Sequence, residues 1–314
     1  MKKIKVAFVG AGYMANEHIK SFADESDVEL VGIYSRTKSR AISLSINFKI
    51  KYVCNSIEEL YNKTKANIIV VCVPILEIKN ICFEIFKYPW MSLIEKPIGV
   101  DLIEANLILK EQEKTSSLAY VALNRRHYSS TLFALNEFKD DNNLRVINIF
   151  DQEDIVAAKK ANHPEKVLKY WMYANSIHII DYITMFGRGE IVSTENLIKW
   201  DQLNPNHVLS KINFSSGDIA IYQAVWNGPG PWAVSISSSQ KRCELRPIEK
   251  AFLQQKGSRK ILEKTVSNWD IEFKPGLRLQ ANEVLKAFRK ENHNLPTIED
   301  SIKTMKIIKN IYGI

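Results

Sequence analysis

Near the start of the chain, Val6-Ala7-Phe8-Val9 forms a short β-rich stretch, breaks at Gly10-Ala11-Gly12 and continues through Tyr13-Met14-Ala15 into helix-compatible sequence. A glycine turn placed directly after a strand and before a helix leaves few folds open. Gly10 permits the tight turn, Gly12 lets a ligand approach the backbone, and Ala15 takes the position where helix and strand pack closely. The first backbone N–H groups of such a helix are free to face an anion. The following segments keep the same grammar: residues 28–34, 68–73, 92–94 and 117–123 read as strands, and 14–23 and 101–114 as helices. The run at 68–73 is continuously apolar, as strands covered on both faces are. Residues 1–123 are therefore expected to form a doubly wound parallel α/β sheet.

After residue 124 the pattern changes. Strand-like runs at 144–150, 211–215, 218–226, 232–239 and 242–246 follow one another with few helices between them, and Asn227-Gly228-Pro229-Gly230-Pro231 punctuates two of them as a turn. Helices are expected at 174–186 and 277–290, and a third opens at the capping box Thr297-Ile298-Glu299-Asp300. Residues 124–314 thus read as an α+β domain with a mostly antiparallel open sheet, its C-terminal helix free to pack back on the first domain. A sheet with one uncovered face buries it most readily against another copy, so a homodimer or homotetramer is expected.

A chain of 314 residues is longer than one core usually supports, and 46% hydrophobic with 25% charged residues is ordinary globular composition. The opening MKKIKVAFVGAG is too short for a signal peptide and lacks a cleavage site, and the longest apolar run, 68–76, is about half of a membrane span. Cys54, Cys72, Cys82 and Cys243 form no C-x-x-C pair, and the six histidines show no metal-ligand spacing. A reduced, cytoplasmic, metal-free protein is expected. The net charge of +8 is spread along the chain rather than gathered into a stripe, which speaks against nucleic acid and for an anionic cofactor or substrate.

The glycine turn in this context is the pyrophosphate cradle of a Rossmann dinucleotide site, with Tyr13 and Met14 completing it. The end of the second strand separates the two nicotinamide cofactors, because a carboxylate there accepts the ribose hydroxyls of NAD. This chain has Ser35-Arg36-Thr37-Lys38. The fork of Arg36 and the hydroxyl of Ser35 suit a 2′-phosphate, so NADP(H) is favoured, with NAD(H) as the alternative. Farther on, Ile94-Glu95-Lys96-Pro97 follows a strand and emerges where ligands bind in open α/β sheets. A lysine beside a nicotinamide is placed to give a proton to a carbonyl under reduction.

With the GAGYMA turn, Glu95-Lys96-Pro97, Asn124-Arg125-Arg126, His178-Ile179-Ile180-Asp181 and the ending from Pro296-Thr297 to Tyr312, the chain resembles the Gfo/Idh/MocA family of NAD(P)-dependent oxidoreductases over essentially its whole length. The resemblance implies that Lys96 lies near the nicotinamide, that the helical His178 lies across the cleft, and that both act on the reacting carbon. It also puts Glu95 and Asn124 on the cofactor side, with Pro74 at the end of the fourth strand. At least one of Arg125 and Arg126 is expected to face substrate. Many such proteins carry an aspartate four residues before the histidine, where this chain has Ala174; Asn175 and Asp181 are the polar groups left near that helix face. Many also carry a histidine shortly after the proline, where this chain reads Pro74-Ile75-Leu76-Glu77-Ile78. Trp171, Tyr173 and Asn175 offer aromatic surface and an amide to a sugar ring, and Phe273-Lys274-Pro275-Gly276 with Gln280 is similar to a substrate-side segment of sugar-active relatives.

The reading that results is an NAD(P)-dependent dehydrogenase or reductase acting on a secondary alcohol or ketone carbon of a sugar or nucleotide sugar, with Lys96 and His178 in proton transfer. Two alternatives stay open: an enzyme that uses tightly held NAD during glycoside cleavage, and a non-catalytic cofactor-binding sensor.

Overall fold

The computed structural model describes residues 3–314. Contacts divide the chain into two compact units: residues up to Asn124 with Trp269–Ile302, and Arg125–Asn268 with Lys303–Ile314.

The first unit is built on a six-stranded parallel sheet of β1 (Ile4–Val9), β2 (Val28–Tyr34), β3 (Tyr52–Cys54), β4 (Ile68–Val71), β5 (Met91–Glu95) and β6 (Ala119–Ala122), in the order β3-β2-β1-β4-β5-β6. Helices α1 (Tyr13–Ala23), α2 (Lys38–Phe48), α3 (Ile57–Thr64), α4 (Ile78–Ile85) and α5 (Leu102–Thr115) connect them. Every residue of β4 and β5 is buried, which the sequence Ile68-Ile69-Val70-Val71 requires, since helices cover both faces. The chain leaves β1 toward β2 on one side and returns to β4 on the other. This is the topological switch point of the Rossmann order, where a crevice opens beyond the carboxyl ends of the strands.

The stretch 269–302, read from sequence as part of the second domain, groups instead with this unit. Helix α11 (Leu277–Phe288) packs Ala281, Val284 and Leu285 into the same core cluster as Ala15, Ile19 and Phe22 of α1. Each fully buried Val, Leu, Ile or Phe side chain among them contributes roughly 1.5–3 kcal/mol. Arg278 fixes the helix by pairing with Asp24 at 2.6 Å and with Glu25. The 297–302 turns open helix α12 (Ile298–Tyr312), and the Val121 N–H donates to the carbonyl of Pro296 beside β6.

The second unit contains an eight-stranded sheet, in which β7 (Val146–Glu153) and β10 (Ile219–Trp226) pair parallel and every other pair is antiparallel. Its order runs β14 (Leu262–Glu263), β13 (Phe252–Gln255), β12 (Lys241–Leu245), β11 (Ala233–Ser237), β7, β10, β9 (His207–Phe214) and β8 (Ile191–Ile198). Shorter helices α6 (Ser129–Phe138), α7 (Ile155–Lys160) and α8 (Glu165–Lys169) flank these strands in sequence, and α10 (Asn268–Glu272) opens the stretch that groups with the first unit. Alternation along β7, β9 and β10 buries one face, against which α9 (Ile177–Phe186) packs with Ile177, Ile180 and Ile183 fully buried. On the other face Val146, Phe150, Leu209, Ile219, Ile221 and Val225 are only half-buried. The helix expected from residue 174 begins differently: Met172–Ser176 form a π-helical turn that leads into α9. Among the described residues no helix is long and apolar enough to cross a membrane.

Candidate functional site

Within the first unit, the switch-point crevice is a cavity of about 260 Å³ lined by residues that follow three adjacent strands. Gly10 and Gly12 come after β1, Ser35, Arg36, Thr37 and Arg40 after β2, and Cys72, Pro74 and Glu77 after β4. The two glycines serve for different reasons. Gly10 has φ +108°, and a Cβ on it would stand 2.0 Å from the carbonyl oxygen of Cys72, so no other residue fits. A Cβ on Gly12 would meet nothing within 4 Å of protein; it would fill the open space above the start of α1. That helix has no side-chain cap and no acidic residue in its first turn, so its leading N–H groups face the open space uncompensated. A dinucleotide pyrophosphate fits this cradle in shape and charge.

Of the residues expected on the cofactor, Gly10, Gly12, Ser35, Arg36 and Pro74 line this one cavity, whereas Tyr13, Met14, Glu95, Lys96 and Asn124 lie outside its lining. Arg36 Nη1 is 2.8 Å from Glu77 Oε1, and Ser35 Oγ accepts from the Thr37 N–H at 3.3 Å. Tyr13 is exposed, with Lys274 Nζ 5.4 Å from its ring centre. Asn124 is buried and its amide donates to the Pro275 carbonyl at 3.0 Å, which ties the end of β6 to the 269–276 segment.

Glu95 ends β5 and is buried, its carboxylate 2.8 Å from Nε2 of His18 on α1. His18 is itself 1% exposed. The bond joins the helix that carries the glycine turn to the strand that carries Lys96, which stands half-exposed one residue beyond Glu95, before a cis peptide to Pro97.

In the second unit, His178 is buried in the first turn of α9, directly after the π-helical turn. The turn is shaped by Glu153 of β7. Its carboxyl group accepts from Trp171 Nε1 at 2.6 Å, Asn175 Nδ2 at 2.9 Å and Ser176 Oγ at 2.9 Å. Burial, and then the neighbouring charge of Asp151, push the Glu153 carboxyl well up, and burial also raises Asp151, which hydrogen-bonds to Glu153 and accepts from Tyr222 OH at 2.7 Å. Two buried carboxyl groups in contact cannot both ionise cheaply, so the pair holds a proton. Trp171 and Asn175, expected to meet substrate, thus direct their N–H groups inward, leaving the indole ring and the amide carbonyl. Asp181 takes a bidentate bond from Arg126, at 2.6 and 2.7 Å, and another from Thr304 at 2.7 Å. Arg125, by contrast, stacks on the Trp232 ring at 4.3 Å and has no acidic partner among the described residues.

His18, Arg40, Glu77 and Glu153 are absent from the sequence-derived set. His18, Glu77 and Glu153 have their meaning in contacts with distant segments, whereas Arg40, four residues after Arg36 in a basic stretch, carries a local signal.

Residues 4–123 match the model of an oxidoreductase family with an NAD-binding Rossmann fold, Gfo/Idh/MocA. A search of curated proteins finds no match. Among solved structures, a protein of Desulfitobacterium hafniense provisionally assigned as an NADPH-dependent oxidoreductase superposes with a TM-score of 0.82 at 14% identity, over 99% of this chain and 94% of its own. UDP-N-acetylglucosamine 3-dehydrogenase GnnA of Acidithiobacillus ferrooxidans gives 0.78 at 12% identity, over 98% and 96%. GenD2 of gentamicin A biosynthesis, in complex with NAD, gives 0.74 at 14% identity, over 100% and 94%. At these identities the likeness establishes the fold.

Proposed function

We propose that this chain, whose residues 4–123 belong to the Gfo/Idh/MocA family of NAD-binding Rossmann oxidoreductases, moves a hydride to or from a secondary alcohol or ketone carbon of a sugar or nucleotide sugar, and prefers NADP(H) to NAD(H). The observation that carries the cofactor preference is the cavity wall after β2, which presents Ser35, Arg36 and Arg40 and no carboxylate of its own. A carbohydrate substrate is supported by the names of two similar structures, a UDP-N-acetylglucosamine 3-dehydrogenase and a protein of gentamicin A biosynthesis.

When bound, the nicotinamide supplies or accepts the hydride. Gly10 and Gly12 shape the pyrophosphate cradle, with Tyr13, Met14 and Pro74 at its rim; Ser35 and Arg36 hold the ribose phosphate; Glu95 and Asn124 fix the strand ends on the nicotinamide side. Lys96 holds and releases a proton at the substrate oxygen, where charge changes as the hydride moves, and His178 shares that proton transfer. Arg125 and the ring and carbonyl of Trp171 and Asn175 orient the substrate. Asp181 acts by fixing Arg126. The protein works in the cytoplasm as a homodimer or homotetramer that buries the half-covered face of the eight-stranded sheet.

Calorimetric titration with NADPH and NADH tests the cofactor reading. NADPH is expected to bind more tightly, and Ser35→Asp to reverse the order, because a carboxylate repels the 2′-phosphate and accepts ribose hydroxyls. Tighter binding of NADH to the wild type contradicts it.

A further inference from the structure

The cavity of the first unit has a charge pattern that its proposed cofactor alone does not explain. Arg36, Arg40 and Glu77 share one wall of it. Arg36 follows β2, Arg40 lies in the first turn of α2, and Glu77 ends the 3₁₀ turn Ile75–Glu77 between β4 and α4. Glu77 Oε1 and Arg36 Nη1 are 2.8 Å apart, with the side chains 33% and 64% exposed respectively. An ion pair this solvated is weak and easily exchanged. Arg40 has no acidic partner among the described residues, and the first turn of α2 contains no acidic residue to offset it. Lys38, beside it, donates to Asn55 Oδ1 at 2.8 Å and is turned to another neighbour. The wall therefore holds two guanidinium groups and one carboxylate, and the carboxylate occupies the group that a phosphate would use.

We propose that Glu77 is a built-in competitor for Arg36, so that this carboxylate lowers how strongly NADPH is chosen over NADH at a wall whose cations are Arg36 and Arg40. The inference rests on reading this cavity as the dinucleotide site. A phosphate carries more charge than a carboxylate and accepts a guanidinium fork bidentately, so it displaces Glu77 from Arg36. Glu77 then stands unpaired near a dianion, and the repulsion subtracts from NADPH binding alone. NADH brings no such charge. Its adenosine ribose leaves the Arg36–Glu77 pair intact and makes no demand on Arg40. Discrimination is thereby moderated by a repulsive element as well as supplied by attractive ones.

The test is titration of the full-length wild type, Arg40→Ala and Glu77→Gln with NADPH, NADH and adenosine 2′,5′-bisphosphate, at low and high salt. Arg40→Ala is expected to weaken NADPH and the bisphosphate about tenfold, the loss of one charge-assisted bond, while NADH changes less than about twofold. Glu77→Gln is expected to tighten NADPH about threefold at low salt, with the gain shrinking as salt rises, and to leave NADH within about twofold. Unchanged NADPH affinity in Glu77→Gln, or a parallel change for the two cofactors in that variant, overturns the inference. A wild type that prefers NADH contradicts the cofactor preference but not the inference, which the NADPH-to-NADH ratios of the variants still decide. Failure of the wild type to bind either dinucleotide overturns both.

Discussion

Lys96 leaves the carboxyl end of the sheet one residue beyond Glu95, and the burial of Glu95 against His18 fixes where that lysine starts. Lys96→Met is expected to keep NADPH affinity within about threefold while lowering turnover by about two to four orders of magnitude, because the cradle residues remain and positioned proton transfer is lost. Steady-state rates beside calorimetry separate the two effects. If His178 shares the same proton relay, the double variant Lys96→Met with His178→Ala is little slower than the slower single variant. His18→Leu leaves a buried carboxyl group without its hydrogen-bond partner and is expected to cost about 1–3 kcal/mol in urea unfolding; an unchanged midpoint would show that the His18–Glu95 bond contributes nothing. Glu95-Lys96-Pro97 and the glycine turn were legible because their meaning is local: a strand ends, the backbone turns, and a side chain emerges. His18 was not, since in sequence it is one histidine on an amphipathic helix and its partner lies 77 positions away.

At the scale of elements, the π-helical turn Met172–Ser176 shows how a carboxyl group on a strand redirects a helix. Glu153 bonds Trp171, Asn175 and Ser176 together, and the extra backbone residue accommodates all three. The raised pKa values of Glu153 and Asp151, both caused first by burial, link this geometry to pH. A carboxyl group that keeps its proton in the fold contributes fully below the ordinary carboxylate range near pH 4, and the contribution is lost as pH rises toward the folded value. The urea midpoint is therefore expected to fall as pH is raised from about 5 to 8, and Glu153→Gln to flatten that fall. A midpoint that rises over the same range, or an unaltered slope in the variant, would count against the shared proton. Sequence periodicity predicted the helix but not its irregular start, since the controlling group is 18 to 23 residues upstream. Strand β8 was missed for a different reason: most of Ile191–Ile198 is exposed, so no apolar alternation marks it.

For the whole molecule, the change of grammar near residue 124 was readable, but the assignment of 269–302 was not. An amphipathic helix such as α11 announces that it packs, not on what; its partner is set by Arg278 meeting Asp24 and Glu25 and by apolar contact with α1. The half-buried face of the eight-stranded sheet is likewise an alternation whose outer members include Phe150, Leu209 and Ile221. Light scattering is expected to give a multiple of the 36.1 kDa chain mass, and a single-chain mass would remove the proposed assembly. Hydride transfer itself is tested most directly with NADPH deuterated at the transferable position of the nicotinamide, incubated with the protein and a panel of keto-sugars and keto nucleotide sugars, the products being read by mass spectrometry. One carbohydrate should gain a single deuterium at a secondary carbinol carbon with the wild type and none above background with Lys96→Met. Bound NADPH with no deuterium in any carbohydrate, or equal labelling by Lys96→Met, would contradict the proposed reaction.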